Sequence, residues 1–173
     1  EDALAARNGW DVLKVPMVTP DYHDPYQLNL VEIFQYMIGN TDWDPFRREP
    51  DKNACCHNVV PIGNMAGPAF GVPYDFDWSG LINARSARPN EHLPIRSVRQ
   101  RLYRGLCRPE ELVERTLEVF ARKRAAIFGL FNSVEGLEDK RREDAIEYLE
   151  EFYDTIGNER QLRRKMLDDC RNA

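Results

Sequence analysis

The sequence predicts a mainly α-helical domain of the α+β class that carries one small β-hairpin. Three observations support this prediction: an amphipathic repeat from residue 27, two short β-type runs between residues 57 and 76, and helical patterns from residue 109 onward. The chain has 173 residues, of which 42% are hydrophobic and 31% are charged. This length and composition are typical of one globular domain with a sizeable core.

The first predicted helix covers residues 27–38. Its apolar side chains recur at i, i+4 and i+7 and therefore share one face: Leu30, Phe34 and Met37. Gly39 and Asn40 follow, and both residue types favour the left-handed backbone that ends a helix. Residues 1–26 contain three prolines in their second half and are expected to form a connecting segment.

A hairpin is predicted from the runs HNVVPIG and AFGVPYDF, because the turn-forming stretch GNMAG separates them. The polar residues before the hairpin and residues 79–94 after it are expected to form loops. A loop as long as the second is often functional or mobile.

Residues 108–173 are predicted to form a helical C-terminal region. Pro109 suits the first turn of a helix, and the two glutamates behind it favour the positive end of the helix dipole. A second helix is expected to begin near Leu137 and to end at Gly157 and Asn158, and a short helix completes the chain.

Charge and hydropathy disfavour two classes of function. The net charge of −5 disfavours a nucleic-acid-binding protein, since such domains are usually basic. No apolar run approaches the roughly 18 residues that a membrane span needs. We therefore expect neither nucleic acid nor a membrane span among the partners.

The cysteines are too few for a disulfide framework: Cys55, Cys56, Cys107 and Cys170. Because adjacent cysteines rarely bond each other, we expect at most one or two bridges to distant partners, and a small indication of an exported protein. A zinc site on Cys55, Cys56 and His57 is disfavoured, since ligands at adjacent positions cannot easily share one tetrahedral ion.

Three polar loops carry the side chains that could perform chemistry. The hairpin would bring the second and third loops together, and the end of the first helix could deliver the first. Carboxylate and amide oxygens suit Mg²⁺ or Mn²⁺, which also binds substrate phosphates. The loops contribute Asn40, Asp42 and Asp44, then His57 and Asn58, then Asp75 and Asp77.

Simpler interpretations stay open for these residues. Asp75 and Asp77 could lie in a solvated turn with their carboxylates pointing to opposite sides. Asp42 could cap a turn, and His57 could be a core histidine with satisfied hydrogen bonds.

Five arginines stand close together between residues 96 and 108: Arg96, Arg99, Arg101, Arg104 and Arg108. Such a cluster is typical of the solvated face of a helix. The alternative is a contact with phosphate or substrate, for which Arg96 and Arg99 are the candidates.

The stretches IGNTDW, CCHNVVPI and VPYDFD resemble the CotH-type spore-coat atypical kinases, distant relatives of the HipA-like and secretory-pathway kinases. The resemblance covers roughly residues 27–80. It implies that Asp42 orients or deprotonates an acceptor hydroxyl. It also implies that Asn58 and Asp75 hold Mg²⁺ or Mn²⁺ on the phosphates of ATP, with Asp77 as a second metal ligand. The secondary candidates are Asp44, Asp51 and His57.

Two features depart from ordinary protein kinases. Asp42 and Asn58 are 16 positions apart, whereas the catalytic Asp of a kinase precedes its metal-binding Asn by only a few. No glycine-rich strand pair precedes residue 27. The resemblance therefore implies the C-terminal lobe of a larger kinase-like protein, with residues 27–107 as its catalytic and metal-binding core.

On this interpretation the partners are the N-terminal lobe of the same protein and a protein or small-molecule hydroxyl acceptor. We expect no turnover of ATP by the 173-residue chain alone. The alternative is a non-catalytic pseudokinase or a helical protein-interaction module.

The DFD stretch also supports a geometric prediction. Alternate residues of a β-strand share a face, so Asp75 and Asp77 would both face the cleft while Phe76 packs into the core. Asp75 is expected to be the primary metal ligand. Asp42, Asn58 and Asp75 are expected to lie within roughly 10 Å, a span that a metal ion and a phosphate can bridge.

Overall fold

Helices pack around one buried helix, and a small sheet lies at one side. The computed structural model describes residues 1–47 and 55–172. Its α-helices are α1 Asp2–Arg7, α2 Pro25–Ile38, α3 Glu110–Ser133, α4 Asp139–Ile156 and α5 Glu159–Leu162. Its strands are β1 Asp11–Val12, β2 Val59–Gly63 and β3 Ala69–Pro73, which form an antiparallel sheet in the order β1–β2–β3. A 3₁₀ turn spans Pro20–Tyr22, and a π-helical turn spans Arg163–Leu167.

The sheet contains the predicted hairpin and one further strand. β2 and β3 pair in the register Val59↔Pro73 to Gly63↔Ala69, which confirms the hairpin. β1 adds to the free edge of β2 through Asp11↔Gly63. Residues 1–26, predicted to be only a connecting segment, therefore include α1, β1 and the 3₁₀ turn, and they bury Leu13 and Val18.

Helix α2 lies at the centre of the fold. Asp24 caps its start by accepting a 2.8 Å hydrogen bond from the amide of Gln27, and Gly39 ends it with a left-handed φ of 65°. Nine of its 14 residues are buried, because α3, α4 and β3 all contact it. The predicted helix and its C-cap are confirmed, and the helix starts two residues earlier than the apolar repeat indicated.

The main core lies between α2, α3 and α4. Phe152 is fully buried at its centre, and its ring meets Tyr36 and Phe120 edge to face at 6.2 and 5.8 Å between centroids. A second, smaller core between the N-terminal residues and the sheet includes Leu13 and Trp43. Among residues 1–47 and 55–172, none of the helices has the length and apolar character that a membrane span requires.

The arginine cluster does not form a solvated helix face. Residues 96–108, all of which the structure describes, form no helix, so that interpretation is wrong. The side chain of Arg101 is only 9% exposed and donates hydrogen bonds to the carbonyls of Met37 and Tyr148. Arg104 donates to the carbonyls of Thr41 and Trp43, each at 2.6 Å. These side chains tie irregular backbone to the end of α2.

A contact that we call the glycine junction joins the end of α2 to residues 79–81; its members are Gly39, Gly80, Tyr148 and Arg101. The amide of Gly80 donates to the carbonyl of Gly39 at 3.1 Å. The Tyr148 side chain lies against both glycines, and a Cβ on either would overlap its hydroxyl group. The Arg101 guanidinium stacks on the Tyr148 ring at 3.6 Å from the centroid.

Two disulfides are present. Cys107 and Cys170 are bonded across 63 positions, which confirms one bridge between distant cysteines. Cys55 and Cys56 are bonded to each other, so the expectation that adjacent cysteines do not pair is wrong here.

The glycine junction gives the first testable prediction. Gly80→Ala is expected to lower the free energy of unfolding by about 1–3 kcal/mol, because the new methyl group would overlap Tyr148 and the carbonyl of Val98. Gly129→Ala is the matched control: its Cβ would meet no described atom within 4 Å, and in helix α3 it is expected to stabilise by about 0.5–1 kcal/mol. Urea unfolding of both variants checks this. Equal changes in the two would show that the Gly80 contact has no special role.

Candidate metal and catalytic site

The loop after α2 holds Asp42 in a fixed position. The side chain of Asn40 accepts a 2.9 Å hydrogen bond from the amide of Asp42, and the indole of Trp43 donates to the carbonyl of Asn40 at 3.1 Å. Trp43 is buried, with 2% exposure, and Arg104 donates to the carbonyls on both sides of Asp42. Buried neighbours therefore hold the backbone around Asp42 in place.

Asp42 contacts both residues of the His57–Asn58 pair. Its Oδ1 lies 2.7 Å from Nε2 of His57, and both side chains are 28% exposed. Nδ2 of Asn58 donates to the backbone carbonyl of Asp42 at 2.8 Å and to its Oδ2 at 3.1 Å. These bonds fix the orientation of the amide group, and its oxygen Oδ1, the acceptor atom, is the one that could bind a cation.

The backbone of Asn58 takes a left-handed conformation with φ of 53°. Asparagine tolerates this region better than most residues do. Its carbonyl accepts a 3.0 Å hydrogen bond from the amide of Tyr74, the residue before Asp75. The Asn58 turn and the DFD stretch therefore lie side by side.

Asp75 and Asp77 lie beyond the strand on which they were expected. Strand β3 ends at Pro73, and Asp75 has a left-handed φ of 58°, so strand alternation does not orient these side chains. Phe76 still packs into the core as predicted, since its ring meets the Phe34 ring edge to face with 5.6 Å between centroids. The strand ends here although the amide of Tyr74 still bonds to the carbonyl of Asn58, because Asn58 and Asp75 both leave the extended conformation for left-handed φ values.

The two carboxylates of the DFD stretch contact each other. Both residues are exposed, and a hydrogen bond with Asp75 is the main cause that raises the pKa of Asp77 above its usual range. The negative charges of Asp75 and, more weakly, of Asp42 also raise this pKa. The side chains therefore do not diverge as in a solvated turn, and Asp42 lies within electrostatic reach of Asp77.

We call this arrangement the acidic cleft; it comprises Asp42, His57, Asn58, Asp75 and Asp77. All five were named as candidates in the sequence analysis, His57 only as a secondary one. The glycine junction that positions them was not predicted, since its members are spread from residue 39 to residue 148. His57 was also considered as a core histidine, but the buried histidine is His23. This residue is 3% exposed, and its Nε2 lies 3.0 Å from the carbonyl of Pro45.

The other sequence-predicted residues lie outside the cleft. Asp44 uses Oδ1 to accept from the amides of Phe46 and Arg47 at 2.9 and 3.2 Å. Arg99 donates to the carbonyl of Gly80 at 3.2 Å, and Arg96 is exposed. Asp51 falls outside the described residues.

The donor set of the acidic cleft suits a hard cation. In residues 1–47 and 55–172, no three His, Cys, Asp or Glu side chains are grouped so that they could hold a metal ion. A cation here would need the amide oxygen of Asn58 beside the two carboxylates, with water or phosphate completing its shell. Thiolate ligands are not offered by Cys55 and Cys56, because these residues form a disulfide.

Comparisons with protein-family models, with curated proteins and with solved structures gave no match. The interpretation of the cleft therefore depends on its own geometry and chemistry.

The interaction between Asp75 and Asp77 can be tested directly. Asp75→Asn is expected to lower the pKa of Asp77 toward its usual value, because the substitution removes both the carboxylate that accepts the proton and its negative charge. The measurement is a carboxyl-carbon NMR titration of Asp77 in both proteins. Asp21→Asn, at an exposed position, is the control and is expected to leave the titration unchanged. An Asp77 pKa that stays elevated in Asp75→Asn would contradict the contact.

Proposed function

We propose that the acidic cleft binds Mg²⁺ or Mn²⁺ and that this chain is the catalytic-lobe portion of a CotH-like, metal-dependent phosphotransferase. The observation that supports this most is the arrangement around Asp42. Asn58 donates to Asp42, and at the adjacent loop the Asp75 carboxylate raises the pKa of Asp77 through a hydrogen bond and its negative charge. Carboxylates held this close are stabilised by a cation, and a proton is the substitute when none is bound.

Asp42 has the properties that the base of such a reaction requires. Its backbone is fixed by Asn40 and Arg104, and its carboxylate is still partly exposed. Oδ1 is hydrogen-bonded to His57, and Oδ2 accepts a hydrogen bond from Asn58. The orientation of the carboxylate is therefore set before an acceptor hydroxyl arrives. A positioned carboxylate of this kind orients the hydroxyl and accepts its proton.

Asn58, Asp75 and Asp77 would hold the cation. It would supply charge neutralisation on the transferred phosphoryl group of ATP. Asp75 follows directly after Tyr74, whose amide bonds to Asn58, so its backbone is the better held of the two acidic residues. Asp77 lies further into the turn and takes the supporting role.

The test measures metal binding, which does not depend on turnover. Mn²⁺ added to the ¹⁵N-labelled chain is expected to broaden the amide signals of residues 42, 58, 75 and 77 first, and Mg²⁺ is expected to reverse this by competition. Asp75→Asn should weaken Mn²⁺ binding at least about tenfold, since one unit charge beside a dication contributes more than the roughly 1.4 kcal/mol that tenfold requires. Asp77→Asn should weaken it less, and Asp21→Asn should not change it.

Phosphoryl transfer by the full-length protein is expected to follow the same order, with almost no activity in Asp75→Asn and a measurable remainder in Asp77→Asn. Equal losses in the two variants would contradict the primary role of Asp75. Uniform broadening without preference for the cleft would contradict the metal site and favour the non-catalytic scaffold.

A further inference from the structure

A cavity of about 390 Å³ lies outside the acidic cleft and shares no residue with it. Its walls come from three parts of the chain: residues 17–20, the turn at residues 44–47, and the pair formed by Leu106 with Arg171 and Asn172. This volume lies within the range of small-molecule sites, roughly 300–1,000 Å³.

The cavity walls are mostly apolar and carry an excess of positive charge. Met17, which is 56% exposed, and Phe46 supply apolar surface, and Arg47 and Arg171 supply two guanidinium groups. Asp44 is the carboxylate in the wall, and its Oδ1 already accepts from the amides of Phe46 and Arg47. The charged side chains of the wall are therefore two guanidinium groups and one carboxylate, and Thr19 and Asn172 add uncharged polar groups.

Arg171 borders the cavity with a guanidinium whose hydrogen-bonding capacity is not fully used. Its Nε is buried and has no hydrogen-bond partner among the described residues, although a buried guanidinium nitrogen is normally paired. Its guanidinium lies 5.7 Å from the centroid of the Phe46 ring. A donor and an apolar surface thus stand next to each other in the same wall.

The backbone of Arg171 is held independently of its side chain. Its amide donates to the carbonyl of Gly105, and its carbonyl accepts from the amide of Cys107, both at 2.8 Å. The Cys107–Cys170 disulfide fixes the preceding residue. The guanidinium is therefore presented from a rigid position, which lowers the entropy cost of binding a ligand.

We propose that this cavity binds a small carboxylate that carries an apolar body. The carboxylate would accept hydrogen bonds from Arg171 in the planar geometry that guanidinium groups favour. The apolar body would cover Phe46 and Met17. A bare inorganic anion would leave these apolar walls uncovered, and a neutral ligand would leave the guanidinium unpaired.

The probe for this site is benzoate, titrated into the ¹⁵N-labelled chain with its disulfides intact. The signals of the Arg171 side-chain Nε–H and of the amides of Phe46 and Leu106 are expected to shift in a saturable way, with a Kd of about 1–10 mM for so small a ligand. Benzamide, which has the same shape without the charge, is expected to bind at least tenfold more weakly. Inorganic phosphate is also expected to bind at least tenfold more weakly than benzoate.

Arg171→Gln is expected to weaken benzoate binding at least tenfold, and Arg171→Lys to weaken it less. Arg85→Gln, which removes the same charge at an exposed position, should have no effect. Equal binding of benzamide would overturn the role of the charge, and equal binding of phosphate would overturn the role of the apolar walls. Absence of saturable shifts in the unmodified chain would overturn the site, whatever the folding of the variants.

Discussion

The Tyr148 side chain against Gly39 and Gly80 is the contact on which the rest of the site depends. Gly39 ends the central helix three residues before Asp42, and Gly80 follows Asp77 by three residues. The hydrogen bond between the two glycines and the close approach of Tyr148 leave no room for a side chain at either position. The two acidic loops are therefore brought to one place by a contact that is itself uncharged.

Arginine side chains replace secondary structure in the part of the chain that surrounds the site. A backbone carbonyl that is buried without a partner is costly, and loops cannot pair their own carbonyls as helices do. Arg101 and Arg104 supply the missing donors to the end of α2 and to the loop of Asp42. Several arginines of the cluster therefore stabilise the structure by donating hydrogen bonds to backbone carbonyls. Arg99 does so at the carbonyl of Gly80.

Sequence patterns predicted the parts of this protein whose determinants are local. The capped helix α2, the hairpin and the two long C-terminal helices each follow from residues within a few positions of one another. The conformation of Asp75 does not, because the pairing of β3 with β2 stops opposite Asn58, whose backbone is left-handed and which lies on the other side of the hairpin. The pairing of β1 with β2 was not predicted either, because it depends on a contact between residues about fifty positions apart in the chain.

The central claim is that the loop of Asp42 faces the loop of Asp77, and one titration tests it most directly. The carboxyl signal of Asp77 is followed by NMR against pH in the unmodified chain and in Asp42→Asn. The account predicts a lower pKa for Asp77 in the variant, because the negative charge of Asp42 contributes to raising it. An identical Asp77 pKa in both proteins, with the fold intact, would show that the two loops lie too far apart to form one site.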